Sequence, residues 1–106
     1  MYLPSAFKED DPKKLADFIQ KNNFATLISG GKETFQASHL PFLFDETRGK
    51  LGILRGHMAK ANSQWEQAAG QEVLAIFAGP HAYISPSWYE DEKTVPTWNY
   101  VAVHAT

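Results

Sequence analysis

The closing stretch of the chain, GPHAYISPSWYEDEKTVPTWNYVAVHAT from Gly79 to Thr106, restricts the available folds more than any other part. Tyr83, Trp88, Tyr89, Trp98 and Tyr100, five of the fourteen aromatic residues, alternate there with Ser85, Pro86, Ser87, Pro96, Thr97 and Asn99. Proline cannot donate to a sheet ladder, so Pro86 and Pro96 push this segment toward strand edges and bends. A core strand would draw on Val, Ile and Leu and keep its polar residues on one face. Indole, phenol and amide groups on a bent backbone suit a pocket for a flat, partly polar ligand, or a dimer interface.

At 106 residues there is room for one domain with a real core and not for two. The net charge of -2 leaves no electrostatic footprint for nucleic acid. No cysteine is present, which excludes disulfides, thiolate chemistry and cysteine-held metals. MYLPSAFKEDD lacks the basic and apolar regions of a signal peptide, and the apolar run Val73 to Ala78 is far too short to span a membrane. These features point to a cytoplasmic protein.

One helix comes first and strands follow. Asp11 caps the helix with Pro12 at its first position, and Leu15, Phe18 and Ile19 make an apolar stripe that ends at Asn22-Asn23. Phe24 to Ser29 reads as a strand, Gly30-Gly31 as a turn, and Phe35 to Phe44 as a second strand in which Pro41 marks an edge or a bulge. After a hairpin loop from Asp45 to Gly49, a third strand runs from Lys50 to His57. Glu72 to Ala78 is a fourth, apolar enough for burial on both faces, and the closing stretch supplies one or two more, ending in Tyr100 to His104. A short helix from Ser63 to Ala69 interrupts the series. The alternation of Val101 and Val103 with Ala102 and His104 is that of a strand still under way at the last residue, so the chain reads as part of a longer protein.

Gly56 to Glu66, GHMAKANSQWE, leads from a strand end into the short helix, and Ser63 with Glu66 has the spacing of a capping box. Free amides at the helix start, with Lys60 beside them, would seat a phosphate. Ordinary capping beside an ordinary solvated lysine explains the same residues, and on this segment alone it is the better explanation. His39, His57, His81 and His104 show no paired metal-ligand spacing, so no metal site is expected. Glu90-Asp91-Glu92 reads as a solvated turn, and Ser85 and Ser87 lack a nucleophile elbow.

MYLPSAF, HLPFLFD at 39–45, GHMAKANSQW at 56–65, GPHAYISPSWY at 79–89 and VPTWNYVAVHA at 95–105 together resemble the PaiB-like family of FMN-binding split-barrel proteins, known as negative transcriptional regulators. The resemblance runs the whole length of the chain. It implies a mainly β (α+β) fold: a six-stranded antiparallel split β-barrel with an N-terminal helix and a short inter-strand helix, residues 1–106 forming a single domain truncated at its C-terminus. It also implies a homodimer holding FMN between subunits. The phosphate would fall at Lys60, Asn62, Ser63 and Gln64, flanked by His57 and Trp65. The ring would lie near Ser38, His39 and Leu40, with Trp88, Trp98 and Asn99 offered by the partner. The Ser-Arg-Lys group of the related pyridoxamine-phosphate oxidases is replaced here by Asn62-Ser63-Gln64. The expected function is that of a flavin-binding regulator acting without direct DNA contact. The alternatives are a flavin-dependent oxidoreductase and a haem-binding split barrel using His57 or His81.

Overall fold

The computed structural model describes residues 1–30, 33–85 and 97–106. A single 3-10 turn at Ser5–Phe7 precedes helix α1, Pro12–Lys21. Asp11 caps that helix by accepting from the Lys13 amide at 3.0 Å, and Pro12 follows at its first turn. At the other end Asn22 donates to the Phe18 carbonyl through both its backbone and its side-chain nitrogen, so the helix stops where the Asn pair stands.

Strands β1 (Phe24–Gly30), β2 (Phe35–Asp45), β3 (Ile53–Gly56), β4 (Leu74–Ile84) and β5 (Thr97–Ala105) form one antiparallel sheet in the order β3-β2-β1-β4-β5. Helix α2, Gln64–Ala68, lies between β3 and β4. Among the described residues the sheet is open, with β3 and β5 as its outer strands. The third strand is shorter than its sequence span suggests. The connection after Asp45 runs on to Gly52, whose φ of +93° puts its backbone where only glycine is unstrained; a Cβ there would strike the Phe44 ring at 2.4 Å.

Pro41 stands at an edge on one side, as expected, and no bulge forms there. It pairs with Phe24 of β1, while β3 reaches only as far as Phe42. Phe42 N–H bonds the Asn23 carbonyl on the β1 side, and successive strand amides point to opposite sides, so the Pro41 nitrogen faces β3. That strand ends at Gly56, opposite Phe42, and no ladder bond is lost.

Both helices cover the same face. Ala16 and Ile19 of α1 are buried, and Ile19 packs with Ala25, Leu40, Phe42, Ala75 and Phe77, the last with no exposed surface. The Phe42 and Phe77 rings lie 6.0 Å apart in a tilted contact. Each such large apolar side chain contributes about 1.5–3 kcal/mol by leaving water. The opposite face carries Phe24, Thr26 and Ile28 of β1, His39, Pro41 and Leu43 of β2, and Leu74, Ile76 and Ala78 of β4. No described element lies over it: Phe24 is 66% and Leu43 73% exposed. Expected burial on both faces of β4 is therefore met fully on one only, since Ala75 and Phe77 are buried while Leu74 and Ile76 are partly buried.

Candidate functional site

The short helix is tied down from within. Gln64 is 1% exposed, and its side-chain nitrogen lies 2.9 Å from Ser29 Oγ and 3.2 Å from the carbonyls of Leu27 and Gln36. Its side-chain oxygen accepts from the Ser38 hydroxyl, and Asn62 Nδ2 donates to that same hydroxyl oxygen at 2.9 Å. One amide thus joins α2 to β1 and β2. The expected capping box does not form. Ser63 has helical backbone angles and makes no side-chain cap; Asn62 Oδ1 instead accepts from the Gln64 amide at 3.0 Å, an Asx turn that starts the helix two residues on. Trp65 closes the loop by donating its indole N–H to the Lys60 carbonyl at 3.1 Å.

The site residues named from sequence fall in several places. Ser38, Asn62 and Gln64 come together, but in the covered network, where their polar atoms bond one another. Leu40 is part of the core. His39 lies on the open face, its Nδ1 3.0 Å from the Thr26 hydroxyl across the β1–β2 ladder. His57, Lys60, Ser63 and Trp65 are exposed along the loop and the start of α2. Beside this loop, residues 35–41 of β2 have no strand partner on the β3 side among the described residues. The alternation that turns Pro41 toward β3 turns the His39 amide the same way, onto that free edge.

His57 also lines a cleft of about 370 Å³ with Asn23, Pro41, Phe42, Leu43, Arg55 and Gly56. Leu43 pairs with Arg55 across the β2–β3 ladder, so Arg55 shares the open face with Pro41 and Leu43. Gly56 is required at the floor: a Cβ there would come within 2.9 Å of Leu40 and Phe42. Sequence reasoning named His57 and missed Arg55. The signal was present, because residues two apart on a strand share a face. Its pairing with Leu43 was hidden behind a connection longer than the one read. At the far end of this ladder Asp45 has its carboxyl held below the ordinary range, first by the Thr47 hydroxyl and the Thr47 amide, less by the positive charge of Arg55.

The β4–β5 arm carries the remaining aromatics. A register shift between Ala78 and His81 restores the alternation so that His81 pairs with Tyr100 and Tyr83 with Trp98. His81 and Trp98 stack with centroids 5.5 Å apart, Trp98 Nε1 donates to His81 Nδ1 at 3.1 Å, and Tyr83 lies 6.1 Å from the indole ring. This aromatic surface continues the open face. Asn99, next to Trp98 on the strand, points to the opposite face, so the two cannot meet one ligand from the same side. Trp88 lies outside the described residues, as do Pro86, Pro96 and the acidic run. Among the described residues no helix is long and apolar enough to cross a membrane.

Comparison with known proteins places this geometry in context. The family described as "Putative FMN-binding domain" matches residues 1–106. The "Protease synthase and sporulation protein PAI 2" of Bacillus subtilis is 44% identical over 105 residues, covering 98% of this chain and 50% of that protein. An uncharacterized protein of Emericella nidulans is 37% identical over 136 residues, with 99% of this chain and 54% of that protein covered. One from Aspergillus fumigatus is 36% identical over 141 residues, with 99% and 54% covered. The chain spans about half the length of these relatives.

Proposed function

The chain belongs to the PaiB-like family of FMN-binding domains, and from that premise we propose that it binds FMN on the open face of its sheet, as a homodimer. The observation that carries this reading is the strip formed by the free edge of β2, the Arg55–His57 cleft and the loop to α2. A flavin needs apolar walls for its ring, amides for its polar edge and cations for its phosphate. Pro41 and Leu43 supply the walls, the His39 amide a donor, and His57, Lys60 and Ser63 the phosphate end, with Trp65 beside them. Ser38 and Leu40 offer this strip no polar group, since their side chains face inward and their backbone amides and carbonyls face β1. FMN, when bound, supplies hydride chemistry, and the protein orients the ring and sets its electrostatics.

The sheet is, in this proposal, the larger part of a split barrel of six strands. A compact monomer of 11.9 kDa exposes about 5,900 Å², whereas this chain exposes 8594 Å². A second copy over the open face would remove much of that excess, which is of the size an obligate dimer interface requires. Trp98 on the arm, and Trp88 beyond the described residues, are offered to the partner's ligand. Asn99 serves a different surface.

At the level of the cell we propose a cytoplasmic flavin-binding regulator that works through a protein partner and not by gripping DNA. The name of the Bacillus subtilis relative supports the regulatory setting, and a net charge of -2 argues against a DNA-binding surface. Titrating FMN with purified protein tests the central element. Flavin fluorescence should change saturably and level off at one FMN per chain. Folded protein that leaves the flavin signal unchanged overturns the proposal.

A further inference from the structure

We infer that Arg55 is the residue that distinguishes a phosphorylated flavin from an unphosphorylated one. The inference rests on the FMN-binding reading and assigns a role to a side chain outside the phosphate group named from sequence. Of the four residues in that group, Asn62 and Gln64 have their side chains engaged within the network beneath the sheet. A dianionic phosphate therefore meets fewer side-chain donors there than the sequence suggests.

Arg55 is differently placed. It is exposed on a strand, it lines the cleft with His57, and no carboxylate lies among the lining residues. Among the described residues no acid comes within ion-pair distance of it. Asp45, the acid along the ladder, is engaged by Thr47 and by Arg48 at 3.7 Å. Among the described residues the guanidinium is thus a charged, bidentate donor with no close ion-pair partner, Asp45 acting on it only as a more distant charge, and it is set beside apolar Pro41 and Leu43. That combination suits a phosphomonoester carried on a flat, largely apolar body, because a planar fork matches two phosphate oxygens at once. Its position on a strand paired to β2 fixes it better than Lys60 on its loop.

The test is a comparison of FMN with riboflavin, by fluorescence titration, on the wild-type protein, Arg55→Ala and Arg55→Lys. The wild type should bind FMN more tightly than riboflavin. Arg55→Ala should weaken FMN binding by about 10- to 100-fold, weaken riboflavin binding far less, and bring the two affinities together. Arg55→Lys should restore part of the preference. Arg55 is exposed, so both variants should keep the wild-type far-ultraviolet circular dichroism. An FMN preference undiminished in Arg55→Ala overturns the assignment and leaves FMN binding standing. A wild-type protein that binds neither flavin overturns the FMN reading and the assignment with it.

Discussion

The two faces of this sheet are built from similar residues and live in different surroundings. One holds Ala25, Leu40, Phe42, Ala75 and Phe77 beneath α1, with Gln64 fastening α2 beside them. The other holds Phe24, Ile28, Pro41, Leu43, Leu74 and Ile76 with no described element over them. Antiparallel sheets with one wet face normally alternate apolar and polar residues. Here the uncovered face has Thr26, His39 and His81 as polar members of the middle strands, with the charged Asp45 and Arg55 gathered at its β3 end. An apolar face that no described element covers is available as a working surface, whereas the covered face is a structural one.

The sharpest way to separate the two faces is to damage each. Gln64→Ala removes a buried amide and leaves Ser29, Ser38 and two carbonyls short of partners. It should cost about 2–3 kcal/mol of stability in urea unfolding, with the loss seen equally with and without FMN. A change below 0.5 kcal/mol would show that the network is not a fastening. Ile76→Lys, at the centre of the open face, should leave the monomer folded and weaken self-association by about 30-fold or more, as the loss of a central interface contact does. Sedimentation equilibrium reads this directly, and a dimer of unchanged strength would move the interface elsewhere.

The smallest effect concerns the edge of the ladder. The Asp45 carboxyl titrates below its ordinary range chiefly because the Thr47 hydroxyl and amide bond it. A folded value below the unfolded one means that its contribution to stability is present above the unfolded pKa and fades as pH falls through the folded one. Thr47→Ala should shift the Asp45 titration upward, as followed by NMR, and leave behaviour at neutral pH nearly unchanged. A titration that does not move would assign the lowered value to another cause.

Much of the fold was legible because local chemistry stated it. Asp11-Pro12 and Asn22-Asn23 bound the first helix, and the strands fell where β-rich runs alternated with turns. What was not legible depended on partners distant in sequence. Pro41 reads as an edge or a bulge residue, and only the end of β3 at Gly56 shows that it is the former on that side. Ser63-Glu66 reads as a capping box until Asn62 takes the cap. Gln64 reads as a surface polar residue on a short helix, and only its contacts with Ser29 and Ser38, far away in the chain, show it to be buried. The candidate site was legible as a region, from the five sequence blocks, and not as a set of side chains. Arg55 was passed over because its neighbour Leu43 lies across a hairpin whose register the sequence does not print.

The division between a holding face and a binding face can be tested in one titration. Two-dimensional amide NMR of the protein with increasing FMN should shift resonances of His39, Leu43, Arg55, His57 and Lys60 progressively and saturably. Those of Ala16, Ile19, Ala75 and Phe77 should stay in place. Shifts concentrated in α1 and the covered core, or no shifts at all from a well-folded protein, would contradict the account.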